Sequence, residues 1–330
     1  MSSAREIVTK KRMMLFSGTA NPDLAQEIGE RLGVQLCKAK LSRFASGEIY
    51  FRSDESVRGA DAFVIQTHAD PVNEAIWEQL IMIDGLKRAS AKRITAVIPY
   101  YAYSRQDKKA LAREPISAKL VADCLTVAGA DRIVSVDLHS GQTQGFVDYA
   151  FDHLTALPLL ADYLRDDLGL KGNRLVVVSP DAGRVKVAER LGEYLDADLA
   201  FIYKRRSRRE AHKIEEMVVE GDVRERPCVL IDDIIDTGGT MVEGARALQA
   251  QGASDIYIAA THAVLSGKAV QKLEEGPIKQ VVVTNTLPIP EEKRIDKMTV
   301  LSIAPIVASA LQAVFEDESV SEIFQGENQP

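Results

Sequence analysis

Only three cysteines and one tryptophan stand among 330 residues. Cys37, Cys124 and Cys228 are isolated from one another, too few and too scattered for a disulfide framework, and no Cys-x-x-Cys pair points to structural zinc. No apolar run approaches the ~18 residues that a membrane span needs. The first twelve residues are polar and basic and lack the apolar segment of a secretory signal. These absences lead us to expect a cytoplasmic chain with no membrane partner. Positive charge is not in excess either. Lys and Arg number 41 against 48 Asp and Glu, a net charge of -7. A duplex-binding protein carries a basic surplus, so no nucleic-acid partner is expected. An anionic ligand must then be held by local donors. There is no GxxxxGK[ST] and no GxGxxG, so phosphates are not gripped by a P-loop or a kinase glycine loop. What remains is ordinary globular composition, 46% hydrophobic and 27% charged. The length suits about two domains.

A repeat organises the chain. Met13–Gly18 reads as a strand and turn, followed by a helix ending Glu30-Arg31-Leu32-Gly33. Leu175–Pro180 reads the same way, and its helix carries Glu189-Arg190-Leu191-Gly192, an offset of 159 (189 minus 30). Val57-Arg58 precedes the strand Ala62–Ile65, and Val223-Arg224 precedes Cys228–Ile231, an offset of 166 (223 minus 57). Ile94–Ile98 and Ile256–Ala260 give 162 (256 minus 94). Three similar offsets in one order point to two copies of a single unit. Short β-branched runs alternate with helical stretches, the pattern of a parallel sheet covered on both faces. Ligands of such sheets bind beyond the carboxyl ends of the strands. We expect domains at 1–155 and 156–330, with the boundary near Thr155–Pro158.

The sharpest segment is Val229-Leu230-Ile231-Asp232-Asp233-Ile234-Ile235-Asp236-Thr237-Gly238-Gly239-Thr240. A strand runs into acids and then into glycines and threonines that open a helix. Glycine backbone, a helix N-terminus and hydroxyl donors make a phosphate cradle. The acids would repel phosphate. They suit sugar hydroxyls, or magnesium held through water. The combination reads as a sugar phosphate with a metal, against the alternative of a solvated acidic turn. The first copy has Gln66-Thr67-His68-Ala69-Asp70-Pro71 at this place and has lost the motif.

This loop resembles the phosphoribosyl-binding loop of the phosphoribosyltransferase fold. Arg105–Lys109, Pro115–Leu120, Val136–His139, Ser179–Gly183 and Val282–Thr286 narrow the resemblance to class I ribose-phosphate pyrophosphokinases of bacterial type, over about Met14 to Phe324. It implies an α/β chain of two tandem phosphoribosyltransferase-like domains, each a mainly parallel sheet flanked by helices. It also implies transfer of the β,γ-diphosphoryl group of ATP to O1 of ribose 5-phosphate, giving PRPP and AMP for nucleotide biosynthesis, with Mg²⁺.

Residue roles follow from the same resemblance. ATP falls to Phe44, Ser46, Gly47, Glu48, Arg105 and Gln106. Ribose 5-phosphate falls to Arg206, Asp232, Asp233, Asp236, Thr237, Gly238, Gly239 and Thr240. The metal falls to His139 and Asp181, and catalysis to Lys204 and Arg206. Taken alone, Arg105–Lys109 is equally a solvated charge run and Phe44 a core aromatic, and a lone histidine such as His139 is more often structural. Where many members have a second glycine after Gly183, this chain has Arg184. Ser56, Arg58, Ser319 and Ser321 match a regulatory anion site at which phosphate activates and ADP inhibits, in hexamers assembled from dimers. Two other readings stand beside this one: a phosphoribosyltransferase that consumes PRPP, and a non-catalytic regulatory homologue.

Overall fold

The computed structural model describes residues 11–206 and 214–324, and the side chains of these apart from 204–206 and 214–216. By contacts the chain forms two units. Among the described residues, one comprises the chain from Lys11 to Ser135, Gln142–Asp152 and Val307–Ile323. The other comprises Val136–Gly141, His153–Ile306 and Phe324. The last long helix therefore groups with the first unit.

The first half runs β1 (Met13–Ser17), α1 (Pro22–Leu32), β2 (Ala39–Arg43), β3 (Ile49–Ser53), β4 (Asp61–Ile65), α2 (Val72–Arg88), β5 (Arg93–Ile98), α3 (Ser117–Ala128), β6 (Arg132–Val136) and β7 (Ala150–Leu154). Its sheet has the order β1-β4-β5-β6-β7, while β2 and β3 pair as a separate antiparallel ribbon. The second half runs α4 (Leu157–Asp162), β8 (Val176–Ser179), α5 (Val185–Leu195), β9 (Asp198–Arg206), β10 (Ile214–Glu220), β11 (Cys228–Ile235), α6 (Gly239–Ala250), β12 (Ile256–Ala263), α7 (Ala269–Glu275), β13 (Gln280–Thr284), β14 (Met298–Leu301) and α8 (Ala304–Glu316). Its seven strands order as β10-β9-β8-β11-β12-β13-β14, parallel except for the β9–β10 pair. The order β8-β11-β12-β13-β14 repeats β1-β4-β5-β6-β7, so the duplication is architectural.

The helix register of the repeat differs from the sequence match. In α1 the chain leaves the helix through Gly33, whose positive φ of 65° suits glycine. The second Glu-Arg-Leu-Gly lies inside α5, which ends instead at Asp196 in the left-handed region. The equivalent glycines are Gly29 and Gly192, 163 positions apart (192 minus 29). Each accepts a backbone N–H from the residue five further on, Val34 or Ala197. A Cβ on either would press on that residue's carbonyl oxygen, at 2.7 and 3.2 Å respectively. The sequence match was off by four residues, about one helical turn, because the motif returns to the same face after a turn.

Why the strands are so apolar is visible in the second sheet. Val176, Val178, Leu230, Ile258, Val281 and Val283 pack with Val242, Ala245 and Leu248 of α6. Their neighbours Val177, Val229, Ile231, Tyr257, Ala259 and Val282 pack with Leu160 and Ala161 of α4 and Leu191 and Leu195 of α5. Alternate residues of each strand thus feed opposite layers. Both faces are covered, so no polar alternation is possible until the strand ends, and that is where the acids begin. In the first unit, the segment after α8 is tied down by Asp317, which pairs with Lys11 and with Arg93; Arg93 also holds the buried Asp61.

Candidate active site

β11 carries Asp232 and Asp233 in its last turn of extended chain, and Asp236-Thr237-Gly238 leads into α6. Gly238 has φ 70°, and a Cβ there would also meet the Ala269 carbonyl oxygen at 3.3 Å. Gly239 is open in front: its nearest neighbours across the loop are Thr237 Oγ1, 3.7 Å from a would-be Cβ, and Lys272 Nζ, 3.9 Å from it. A side chain at Gly239 would therefore occupy the space at the head of a twelve-residue helix, whose first amides have no carbonyl partner within the helix. Lys272 lies on α7 and donates to the Thr237 carbonyl at 3.1 Å. Nothing in the sequence links it to the loop 32 positions earlier (272 minus 240), so the fold alone reveals this cation.

Arg184 closes the acid pair. Its Nη2 lies 2.5 Å from Asp233 Oδ2 and its Nε 3.3 Å from Asp232 Oδ1, and the residue is 9% exposed. The same Nη2 lies 2.7 Å from His139 Nδ1 and 3.1 Å from the His139 carbonyl oxygen. His139 Nδ1 is in turn 2.8 Å from Asp233 Oδ2. One imidazole nitrogen can accept from the guanidinium or donate to the carboxylate, but not both. Burial works against ionising either acid. For Asp232, burial together with the hydrogen bond and negative charge of Asp233 lifts the carboxyl well above its ordinary range. For Asp233, burial is outweighed by the His139 hydrogen bond and the Arg184 charge, which hold it below that range. The pair is thus pushed in opposite directions, Asp233 toward the ionised form and Asp232 toward the protonated one.

His139 reaches this cluster because the segment behind it is pinned. Asp137 sits at φ 37°, sparsely populated for a non-glycine residue. Its carboxylate accepts from the Ala156 amide at 2.9 Å and from Thr261 Oγ1 at 2.6 Å. His262 Nε2 lies 3.1 Å from the carbonyls of both Val136 and Asp137, and the Leu138 amide donates to His153 Nε2 at 2.9 Å. Burial pushes both histidines below their usual pKa, so they serve this network as neutral rings. A cavity of about 40 Å³ lies behind the acids, lined by Asp137, His153, Arg184, Arg190 and Thr261 among others.

Not every expected residue joins this cluster. Asp181 is exposed, and its Oδ1 accepts the Gly183 amide at 2.8 Å. Among the described residues no group of three or more His, Cys, Asp or Glu could hold a metal ion. His139 presenting Nδ1 to a carboxylate is a common outer-shell arrangement. The acid pair itself, however, already holds a guanidinium. The residues do not fit a resident divalent ion at Asp232 and Asp233. Lys204, Arg205 and Arg206 lie on the backbone of β9 opposite β10, but the side chains of Lys204 and Arg206 are outside the described residues.

The expected nucleotide residues lie in the first unit. Phe44 is 56% exposed rather than core, with its ring 5.6 Å from that of Tyr50 in an edge-on arrangement. Gly47 turns at φ 92° and donates to the Phe44 carbonyl, while Ser46 Oγ donates to Glu48 Oε2 at 2.6 Å. Ser46, Gly47 and Glu48 line an open depression of about 550 Å³ with Arg43, Asn73, Glu74 and the exposed Trp77. Arg105 and Gln106 sit on an exposed turn after β5, where Gln106 Oε1 accepts from Ser117 Oγ at 2.7 Å. The Ser319 and Ser321 hydroxyls are 2.9 Å apart, Ser56 accepts from Arg12 through its carbonyl, and Ser56 and Arg58 are both exposed.

Residues 13–129 match the family model of the N-terminal domain of ribose phosphate pyrophosphokinase, and residues 203–325 match the phosphoribosyl synthetase-associated domain. A ribose-phosphate pyrophosphokinase of Streptomyces avermitilis is 55% identical over 317 residues, covering 96% of this chain and 97% of that protein. One of Mycobacterium tuberculosis is 53% identical over 319 residues, covering 96% and 97%. The crystal structure of phosphoribosylpyrophosphate synthetase from Mycobacterium smegmatis matches with a TM-score of 0.88 at 53% identity, over 93% of this chain and 99% of that one. The chain belongs to the ribose-phosphate pyrophosphokinase family. It is an enzyme of the diphosphotransferase class, built on the α/β architecture described above. Within this family member, the first matched stretch holds Phe44–Glu48, Arg58 and Arg105-Gln106. The second holds Lys204, Arg206 and the Asp232–Thr240 loop. His139, Asp181 and Arg184 fall between the two.

Proposed function

We propose that the chain transfers the β,γ-diphosphoryl group of ATP to O1 of ribose 5-phosphate, giving PRPP and AMP. The observation that carries this reading is the Asp232–Thr240 loop, where a partly buried and a buried acid at a strand end run into the glycines that open α6. The 5-phosphate takes the amides and the hydroxyls of Thr237 and Thr240, with Lys272 beside it. The ribose hydroxyls take the carboxylates of Asp232, Asp233 and Asp236. The O1 hydroxyl attacks the β-phosphorus, the bond to the bridging oxygen breaks, AMP leaves, and the O1 proton passes to solvent. Such a transfer needs charge placement more than a strong base. Lys204 and Arg206, at the end of β9, supply positive charge over the transferring oxygens. Phe44, Ser46, Gly47, Glu48, Arg105 and Gln106 serve ATP.

The ATP substrate carries magnesium, which His139 and Asp181 would hold. When bound it neutralises phosphate charge. Ser56, Arg58, Ser319 and Ser321 take phosphate or ADP as effectors in a homohexamer, and the cytoplasm is the compartment. No helix among the described residues is long and apolar enough to cross a membrane. The test is direct: the protein with Mg²⁺, ATP and ribose 5-phosphate yields AMP and PRPP in equal amounts. Release of ADP, or no AMP, contradicts the reading.

A further inference from the structure

Among the described residues no other lysine or arginine is as buried as Arg184. It stands at the head of α5, after the turn Ser179–Gly183, while Asp181, Ala182 and Gly183 beside it are exposed. A guanidinium offers five N–H donors and no acceptor. Here Nη2 and Nε meet the acid pair and His139: Asp233 Oδ2 lies at 2.5 Å and His139 Nδ1 and carbonyl at 2.7 and 3.1 Å from Nη2, and Asp232 Oδ1 at 3.3 Å from Nε. Two adjacent acids at a poorly screened strand end cannot both ionise cheaply without a cation beside them.

We propose that Arg184 is the resident cation of the Asp232/Asp233 pair, holding the acids together in the substrate-free enzyme and excluding a free divalent ion from them until it swings out. A guanidinium and a divalent ion at the same carboxylate oxygens repel each other strongly in a buried site, so occupancy is exclusive. Arg184 is thus a positioning residue that yields the acid pair to another cation only when its own ion pairs give way. This rests on reading Asp232–Thr240 as the sugar-phosphate loop. The competition itself is read without turnover, so its failure and a failure to form AMP are separate results.

The test uses the full chain without nucleotide or sugar, with Mn²⁺ as the ion and its free form counted by electron paramagnetic resonance. Arg184→Met and Arg184→Gln should each bind Mn²⁺ at least ~10-fold more tightly than wild type, and Arg184→Lys within ~3-fold of it. Adding Asp232→Asn to Arg184→Met should abolish the gain. Unchanged or weaker Mn²⁺ binding in both neutral variants, with circular dichroism showing them folded, overturns the proposal. The wild-type protein gives a second readout that does not depend on variants folding. Saturating Mn²⁺ should raise phenylglyoxal labelling of Arg184, read by peptide mass; labelling that stays equal or falls counts against the exchange.

Discussion

After the second strand of its sheet, each half of the chain turns toward a helix, and the two turns are built oppositely. In the first half Gln66, Thr67 and His68 follow β4, each buried to within 1%. Gln66 donates to Glu78 at 2.7 Å and accepts the Ala20 amide, and the Thr67 hydroxyl accepts the Tyr100 amide. His68 Nε2 donates to Gln79 while Nδ1 accepts the Ala102 amide. Every polar group named here looks inward. In the second half, acids, threonines and glycines stand at the equivalent place, with Thr237 exposed and Gly238 opening α6. One strand order therefore supports a sealed turn in one half and an acid- and glycine-rich loop in the other. The difference lies in a handful of side chains, and the fold alone would not predict which half binds.

The comparison extends to the hairpins. The ribbon β2–β3 stands apart from the first sheet, whereas β9–β10 continues the second sheet and carries Lys204 and Arg206. The largest expected effect is therefore in the second hairpin. Lys204→Ala should lower kcat by roughly 10²–10³, the scale of one lost electrostatic donor, with KM values changing far less. A loss confined to KM would make the hairpin a binding patch instead.

The sealed turn should answer through stability rather than substrate. Burial holds His68 down at about 4, below the ordinary histidine value, so the unfolded chain takes up the proton first. Stability from this residue is full above pH ~6.5 and falls by up to about 3 kcal/mol as pH drops toward 4. His68→Leu should thus unfold at a lower temperature than wild type at pH 7, with the gap narrowing at pH 5. A gap that widens on acidification contradicts the neutral buried ring. By contrast, Asp236→Ala in the open loop should leave the melting temperature nearly unchanged and raise the ribose 5-phosphate KM by about tenfold, the equivalent of ~1.4 kcal/mol. The smallest effect is expected at Lys272, an exposed cation at the loop's edge. Lys272→Ala should raise the same KM by only about twofold to fivefold, since exposed charge is well screened. No change at all would leave its bond to Thr237 as a structural contact.

How far the sequence carries is itself a matter of locality. The repeat of strands and helices in the two halves was legible because buried strands must be apolar in short runs, and the runs recur in one succession along the chain. The Asp232–Thr240 loop was legible because its parts are contiguous. Arg184 was legible only as a departure from a glycine, since its pairing with acids 48 and 49 positions later (232 and 233 minus 184) depends on how α5 and β11 lie in the sheet. Lys272 was invisible for the same reason. The helix register was misread because Glu-Arg-Leu-Gly is a pattern of amphipathic helices in general. Phe44 was ambiguous because an aromatic residue alone does not declare its exposure.

The most direct measurement of the central claim, that the second half's open loop holds ribose 5-phosphate, is the pair of KM values for Gly239→Val. A valine side chain would fill the space in front of the α6 amides, beside Lys272 Nζ. The account predicts a ribose 5-phosphate KM raised at least tenfold more than the ATP KM, about 1.4 kcal/mol of selective loss. Equal rises in the two values, or a rise in the ATP KM alone, would contradict it.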